Sequence, residues 1–398
     1  MGHNVEGVYE KIHGVLPEKM SDGNERDRKL LGLIVNPIAG MGGAVGLKGT
    51  DGVHILEKAL SLGAVPRSPL RVREALEALK RVTDGVRILT CIGEMGDLVS
   101  REACIPTEVL PIGAGPFTSA EDTREAARAM EKAGVNLILF AGGDGTARDI
   151  ATVLGTRVPA LGIPSGVKIH SPVFARNPAM AGELAGLFLS GSKVDLEERE
   201  VMDIDEEAFR KGSLRASLFG YLLVPLEKRF LQGGKTGGGK TGAVELDGIA
   251  LEVISRMIPG DLYLVGPGTT TGAVMKRLGC DYSLLGVDAL RDGETLGIDL
   301  SEREILDMLL PGRTWLVLSV IGGQGFILGR GNLQATPEVI RAIGRERILV
   351  AGTPTKLEGL YGKALLVDTG DPSLDKALSG YIRVITGLGE ETLFRVER

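Results

Sequence analysis

Asp144 is the carboxylate whose neighbours give it the most chemistry to do, since it stands inside Ala141-Gly142-Gly143-Asp144-Gly145-Thr146. The apolar run Leu137–Phe140 before this turn reads as a strand, and the segment after it has helical spacing. A turn so placed can receive phosphate. Gly142, Gly143 and Gly145 let the backbone approach with its N–H groups exposed, Thr146 adds a hydroxyl, and the dipole of the following helix points its positive end at the same spot. A carboxylate among such donors repels phosphate unless it binds Mg2+ or accepts a proton from an attacking hydroxyl, and both roles suit phosphoryl transfer. The plainer reading is a tight turn with Asp144 as a cap. Thr146 with Asp149 already makes a capping-box pattern, so that role is filled without it.

A second glycine-rich turn, Asn36-Pro37-Ile38-Ala39-Gly40-Met41-Gly42-Gly43, follows the apolar run Leu30–Val35. Alone it reads equally well as a structural turn; beside the first it widens a nucleotide cleft, with Asn36, Gly40 and Gly42 as further phosphate contacts. Gly268-Thr269-Thr270-Thr271-Gly272 follows the strand Asp261–Val265 and opens the helical segment Ala273–Leu278, so its hydroxyls and amides can converge on a phosphate or ribose. Capping of a helix by threonine is the alternative there. In Ser165-Gly166-Val167-Lys168-Ile169-His170, Lys168 can pair with phosphate, and His170 lines the cleft or packs as a core histidine. Gly322, Gly323 and Gly325 fit a bulge or a tight hairpin. Gly234 to Thr241 has the spacing of a Walker A loop, but Pro225, Glu227, Lys228 and Arg229 separate it from the preceding strand, where a P-loop follows its strand at once. The match is therefore read as chance within a glycine-rich mobile loop, 232–242, with two alternatives, a lid bringing Lys235 and Lys240 to a triphosphate and a true phosphate loop.

These turns need a frame. A chain of 398 residues exceeds what one core usually serves, and two domains are expected. Strands read at Leu30–Val35, Val86–Ile92, Glu108–Pro111, Leu137–Phe140 and Pro159–Ile163 alternate with helices at Ala75–Arg81, Thr118–Ala133 and Thr146–Leu154. Residues 30–195 thus read as an α/β nucleotide-binding domain with a parallel sheet, whose ligands bind beyond the carboxyl ends of its strands. Residues 1–29 form a polar leader. From 196 to 398 the runs Leu214–Val224, Asp261–Val265, Thr314–Val320, Ile348–Val350, Ala364–Val367 and Tyr381–Ile385 indicate a β-rich substrate-binding domain with fewer helices. The net charge of -6 and the lack of any long Lys/Arg run argue against nucleic-acid binding. Cys91, Cys104 and Cys280 are too few and too scattered for a disulfide framework, which suits a cytoplasmic protein, and no run is long and apolar enough for a membrane span.

Asn-Pro-x-x-Gly after the first strand, with Gly-Gly-Asp-Gly-Thr after a later one, resembles the superfamily of NAD kinases, diacylglycerol kinases and sphingosine kinases. The runs VNPIAGMGGAVGLKGTDG, AGGDGTARDI, GIPSGVKIHSPVFA, VGPGTTTG and IGGQGFILGRGN are similar to the AcoX-like branch of the ATP-NAD kinase family. The resemblance implies an α/β amino-terminal domain, a β-rich carboxyl-terminal domain, a cleft between them, Mg2+-ATP as phosphoryl donor, NAD as acceptor and a homo-oligomer. It places Asp144 on the catalytic acid, Gly142, Gly143, Gly145 and Thr146 on nucleotide phosphates, and Gly268 to Thr271 on the NAD. The implied activity is phosphorylation of the 2'-hydroxyl of NAD to give NADP. One departure is that the Asn-Glu pair with which NAD kinases contact the dinucleotide falls here on Ser217-Leu218-Phe219-Gly220-Tyr221. That keeps two alternatives open: a kinase of the same fold acting on another nucleotide, a polyol or a lipid, and a nucleotide-binding regulator without turnover.

Overall fold

The computed structural model describes residues 29–47, 53–113, 118–167, 169–204, 216–227, 230–231, 243–360 and 362–398. Lys168, the segment 232–242 and all of the polar leader except Lys29 lie outside them. Five strands, β1 (Lys29–Val35), β2 (Val86–Cys91), β3 (Thr107–Leu110), β4 (Leu137–Gly142) and β5 (Ala160–Pro164), form a wholly parallel sheet in the order β3-β2-β1-β4-β5. β4 is buried along its whole length and β1 from its third residue on, as continuous apolar runs in a sheet covered on both faces must be. The helices are α1 (Val53–Ser61), α2 (Ser68–Val82), α3 (Asp97–Glu102), α4 (Ala120–Ala133), α5 (Asp144–Leu154) and α6 (Pro178–Leu189). Local chemistry sets their ends. α4 opens with a Ser119–Asp122 capping box and closes on left-handed Gly134, and Asn177 caps α6 ahead of Pro178. α2 starts seven residues before the expected Ala75, because Pro69 is well suited to a first helical turn.

The hairpin β6 (Asp195–Ile204) and β7 (Ala216–Leu226) packs on α5, α6 and β5, and its Val201, Leu222 and Val224 are fully buried in the first core. The sequence boundary at 195 therefore cuts into a hairpin that the first core claims, because alternating strand residues give no hint of which core they will face.

The second half is strand-rich, as expected. Its strands are β8 (Leu262–Val265), β9 (Asp288–Arg291), β10 (Glu294–Gly297), β11 (Thr314–Ser319), β12 (Phe326–Leu328), β13 (Ile348–Ala351), β14 (Leu365–Val367), β15 (Gly380–Gly387) and β16 (Glu390–Glu397). They form one sheet in the order β10-β9-β8-β11-β13-β15-β16-β14-β12, antiparallel only at β10–β9, β9–β8 and β15–β16. A sheet so largely parallel needs crossovers: α7 (Ala243–Ser255) precedes its first strand, and α8 (Thr269–Leu278), α9 (Glu302–Met308), α10 (Pro337–Ile343), α11 (Pro354–Glu358) and α12 (Pro372–Leu378) lie between its strands. Helices are thus no scarcer here than in the first half. Three of them were signalled by a polar cap ahead of proline, at Thr336-Pro337, Thr353-Pro354 and Asp371-Pro372, but each is too short for its period to show. Among the described residues no helix is long and apolar enough to cross a membrane.

The carboxyl ends of the two sheets face each other. Segments following β1 and β5 meet segments of the second half: the Glu302 amide donates to Ala44 O (2.8 Å), Gln324 Nε2 to Ile169 O (3.0 Å) and Arg330 Nη2 to Arg176 O (3.0 Å). The strongest tie is ionic. Asp368, just past β14, takes both terminal nitrogens of Arg71 from α2 and, at 2.7 Å, Nη1 of Arg330, whose guanidinium lies 4.4 Å from the Phe326 ring centre. Burial alone would raise the Asp368 carboxyl, but the charges and hydrogen bonds of Arg71 and Arg330 outweigh it and hold it below the ordinary carboxylate range. Asp368→Asn is expected to cost about 3–5 kcal/mol in urea unfolding, because it leaves two buried guanidinium groups uncompensated. Since the folded carboxyl is the more acidic, this contribution is complete above an unfolded value of about 3.9 and fades as pH falls through the lower folded one. A loss below about 1 kcal/mol, the size of a surface pair, would remove the cluster as a tie between the halves.

Candidate active site

Gly142 ends β4, Gly143 is the extended residue before α5, and Asp144 is the helix's first residue, buried at its amino end. The expected Thr146–Asp149 capping box is absent. The helix starts two residues earlier, so both residues lie inside it: Thr146 Oγ1 accepts from Asn36 Nδ2 (3.1 Å) and Asp149 pairs with Arg124 (2.8 Å). The N-cap residue Gly143 makes no side-chain cap bond to α5, an arrangement in which a helix's first amides can take an anion.

Three turns close around this point. Asn36 joins them, its amide donating to Ala141 O (3.0 Å) and its Oδ1 accepting from the Ile38 amide (3.2 Å). The Ser165 and Gly166 amides both donate to Gly142 O, at 3.0 and 2.9 Å. Two glycines are sterically required. Gly40 has φ +78° and a Cβ there would lie 2.0 Å from Ser165 O, while one on Gly142 would lie 2.3 Å from Thr146 Oγ1. A Cβ on Gly145 would meet nothing within 4 Å, and Gly42 is a buried member of the first turn whose carbonyl accepts from the Leu47 amide.

The Asp144 carboxylate is held by two consecutive residues. Oδ2 accepts from the His170 amide (2.8 Å) and lies 3.1 Å from His170 Nδ1; Oδ1 accepts from the Ser171 amide (3.0 Å) and the Ser171 hydroxyl (2.6 Å). A carboxylate offers about four lone-pair positions, and this segment addresses all of them. His170 therefore packs against the acid itself. Ser171 was not singled out in the sequence, although it directly follows the Ser165–His170 turn that was. Its hydroxyl also lies 2.9 Å from the Met202 amide on β6. Among the described residues no group of three or more His, Cys, Asp or Glu is placed to hold a metal ion.

In the second half, Gly268 has φ +125° and α8 begins at Thr269, four residues before the expected Ala273. No side chain caps it, so the capping role considered for the threonines is not realised. Thr271 Oγ1 donates to Gly268 O (3.1 Å), and Thr270, fully buried, accepts from Lys356 Nζ (2.8 Å). Lys356 is a cation that the sequence reading did not find, since it comes from α11, far along the chain. A Cβ on Gly268 would lie 2.8 Å from Ser319 Oγ. Among the described residues no hydrogen bond joins this turn to Asp144; both lie beyond the carboxyl ends of their sheets.

Two family descriptions match the chain, the ATP-NAD kinase N-terminal domain over residues 31–192 and the ATP-NAD kinase C-terminal domain over residues 260–396. No curated protein matches. Among solved structures, a UDP-N-acetylglucosamine 2-epimerase is similar at 9% identity over 86% of this chain and 79% of its own, with a TM-score of 0.22. One from Listeria monocytogenes assigned to the same activity is similar at 13% identity over 85% and 78%, with a TM-score of 0.23. Likeness that faint carries no argument. The two domain matches fall in order on the two halves and take in every glycine turn described above, and on that ground the chain belongs to the ATP-NAD kinase family and is a kinase of that family.

Proposed function

We propose that the protein transfers the γ-phosphoryl group of ATP to the 2'-hydroxyl of NAD, giving NADP. The observation that carries this reading is the buried Asp144, fixed at the open end of α5 where three glycine turns meet, in a chain of the ATP-NAD kinase family. ATP phosphates lie over Gly142, Gly143, Gly145 and Thr146, with Asn36, Gly40 and Gly42 shaping the floor and Lys168 as a further cation. The first half binds the nucleotide; Gly268, Thr269, Thr270 and Thr271 of the second half, backed by Lys356, face the acceptor.

Among the described residues no cluster of carboxylates could hold a metal ion, so Mg2+ would be carried by the phosphates themselves, which leaves the Asp144 carboxylate to the acceptor. When bound, the ion neutralises charge on the transferring group. Asp144 orients the acceptor hydroxyl. To do so it must release one of its four contacts, and the Ser171 hydroxyl is the least costly to release, because it can donate instead to Met202 O at 3.3 Å. The acceptor oxygen then bonds to the γ-phosphorus as the bridging oxygen leaves with ADP, and the hydroxyl proton passes to the carboxylate. Positioning and charge neutralisation supply most of the rate in such transfers.

A second reading, a kinase with another acceptor, is favoured by one feature: β7 carries Leu218, Phe219 and Tyr221, partly exposed, where an Asn-Glu pair would contact NAD. Incubation of the purified protein with Mg2+, ATP and a set of acceptors, read by mass spectrometry, separates the two. NADP with its new phosphate on the adenosine 2'-oxygen supports the first reading, and its absence beside another phosphorylated product rejects it.

Asp144→Asn is expected to lower kcat by about 100-fold or more while ATP still binds, because the change keeps shape and deletes charge. Residual activity within about tenfold of wild type, roughly 1.4 kcal/mol of barrier, would remove Asp144 from the centre. Thr270→Val deletes the hydroxyl that accepts from Lys356, which at about 1–3 kcal/mol should raise KM for NAD roughly 5- to 150-fold and KM for ATP less. An equal rise for both substrates would show that the turn does not face the acceptor.

A further inference from the structure

We infer that Gln324 of the second half is a positioning residue for Asp144, so that the acid is correctly held only while the two halves are together. The inference rests on the role proposed above for Asp144. Residues 165–167 and 169–173 belong to an arch whose feet stand on the first sheet: the Ser165 and Gly166 amides bond Gly142 O, and Val173 O accepts from the Gly162 amide of β5. Among the described residues, the crown of the arch, His170 and Ser171, supplies every hydrogen bond that the Asp144 carboxylate receives. Immediately before the crown, the carbonyl of Ile169 accepts from Gln324 Nε2 at 3.0 Å, and both residues are buried. Among the described residues this is the hydrogen bond through which the second half reaches the arch.

The turn that presents Gln324 is itself rigid. It follows β11, and its ends are closed by the Ile321 amide on Phe326 O (2.9 Å) and the Gly325 amide on Ile321 O (2.8 Å). Gly323 and Gly325 take φ +78° and +81°, conformations that free the backbone to fold back within five residues. The amide side chain is thus aimed from a fixed base at a single carbonyl. On the far side, Ser171 Oγ is steadied by Met202 of the hairpin, which belongs to the first core. The arch is therefore held at its feet and at Ser171 by the first half, and at Ile169 by the second. Separation of the halves breaks the Gln324 bond and removes the restraint nearest to His170, leaving the crown held from the first half alone, whereas the glycine turns proposed to hold phosphate lie wholly in the first half. Nucleotide binding and orientation of the acid are, on this geometry, separable.

Gln324→Leu removes the donor while keeping similar bulk. The expected result is faster hydrogen exchange at the His170 and Ser171 amides, about three- to tenfold, the worth of one hydrogen bond. With it, kcat should fall about tenfold or more at unchanged ATP affinity, and in an Asp144→Asn background the same substitution should have little further effect, because both act on one group. Gln324→Glu, which also lacks the donor when ionised, is expected to behave alike and serves if the leucine variant does not fold. Unchanged exchange at both amides in a folded variant would overturn the inference. So would a loss of ATP affinity matching the loss of kcat, which would mark a general structural role. The exchange measurement does not depend on the acceptor, so a failure of the NAD assignment and a failure of this link are read separately.

Discussion

A negative charge buried at the amino end of a helix is the constraint around which the first half is arranged. Taken from water, the Asp144 carboxylate must find donors, and the helix that begins with it offers none to its own side chain. The arch from Ser165 to Val173 supplies them. That arch in turn requires β5 beside β4, the close backbone approach that Gly40 and Gly142 allow, and a second half near enough to hold Ile169. Packing, turn chemistry and the meeting of the two halves are thus tied to one side chain.

The halves meet where the chain leaves the carboxyl ends of strands in both sheets, which brings loops of the two halves into contact. Ligands of open α/β sheets lie beyond those ends, so the arrangement doubles the number of loops that can touch one substrate pair. It also brings charge together. In the Arg71–Asp368–Arg330 cluster one carboxylate pairs directly with two guanidinium groups, with Asp375 acting on both at longer range, and burial lowers the Arg330 pKa while its Nε has no hydrogen-bond partner. A buried cluster that depends on one shared carboxylate tolerates little rearrangement, which suits a contact between two sheets.

Much of this was legible in the residues. The five strands of the first sheet fall within two residues of their expected ends, because buried parallel strands are unbroken apolar runs. The turns at Asn36, Gly142 and Gly268 were legible because glycine and threonine cluster there and nowhere structure-neutral would collect them. What stayed hidden shares one property. His170 and Ser171 reach Asp144 across some 26 residues, Lys356 reaches Thr270 across 86, Gln324 reaches Ile169 across 155 and Arg71 reaches Asp368 across 297. No local period records such pairings. The short helices of the second half escaped for the opposite reason, being carried by a cap and a proline and too little else.

The β6–β7 hairpin bears on how this chain can be divided. Its inner residues complete the apolar surface of α5 and α6, yet in sequence it comes after the last helix of the first sheet. A fragment ended at the apparent domain border near residue 195 would carry a raw greasy flank and an unsupported Ser171, and would be sticky and short-lived in isolation. A cut placed beyond Leu231, where the chain has finished its return across that flank, leaves the first core whole, so the natural seam of the molecule lies some three dozen residues later than its sequence suggests.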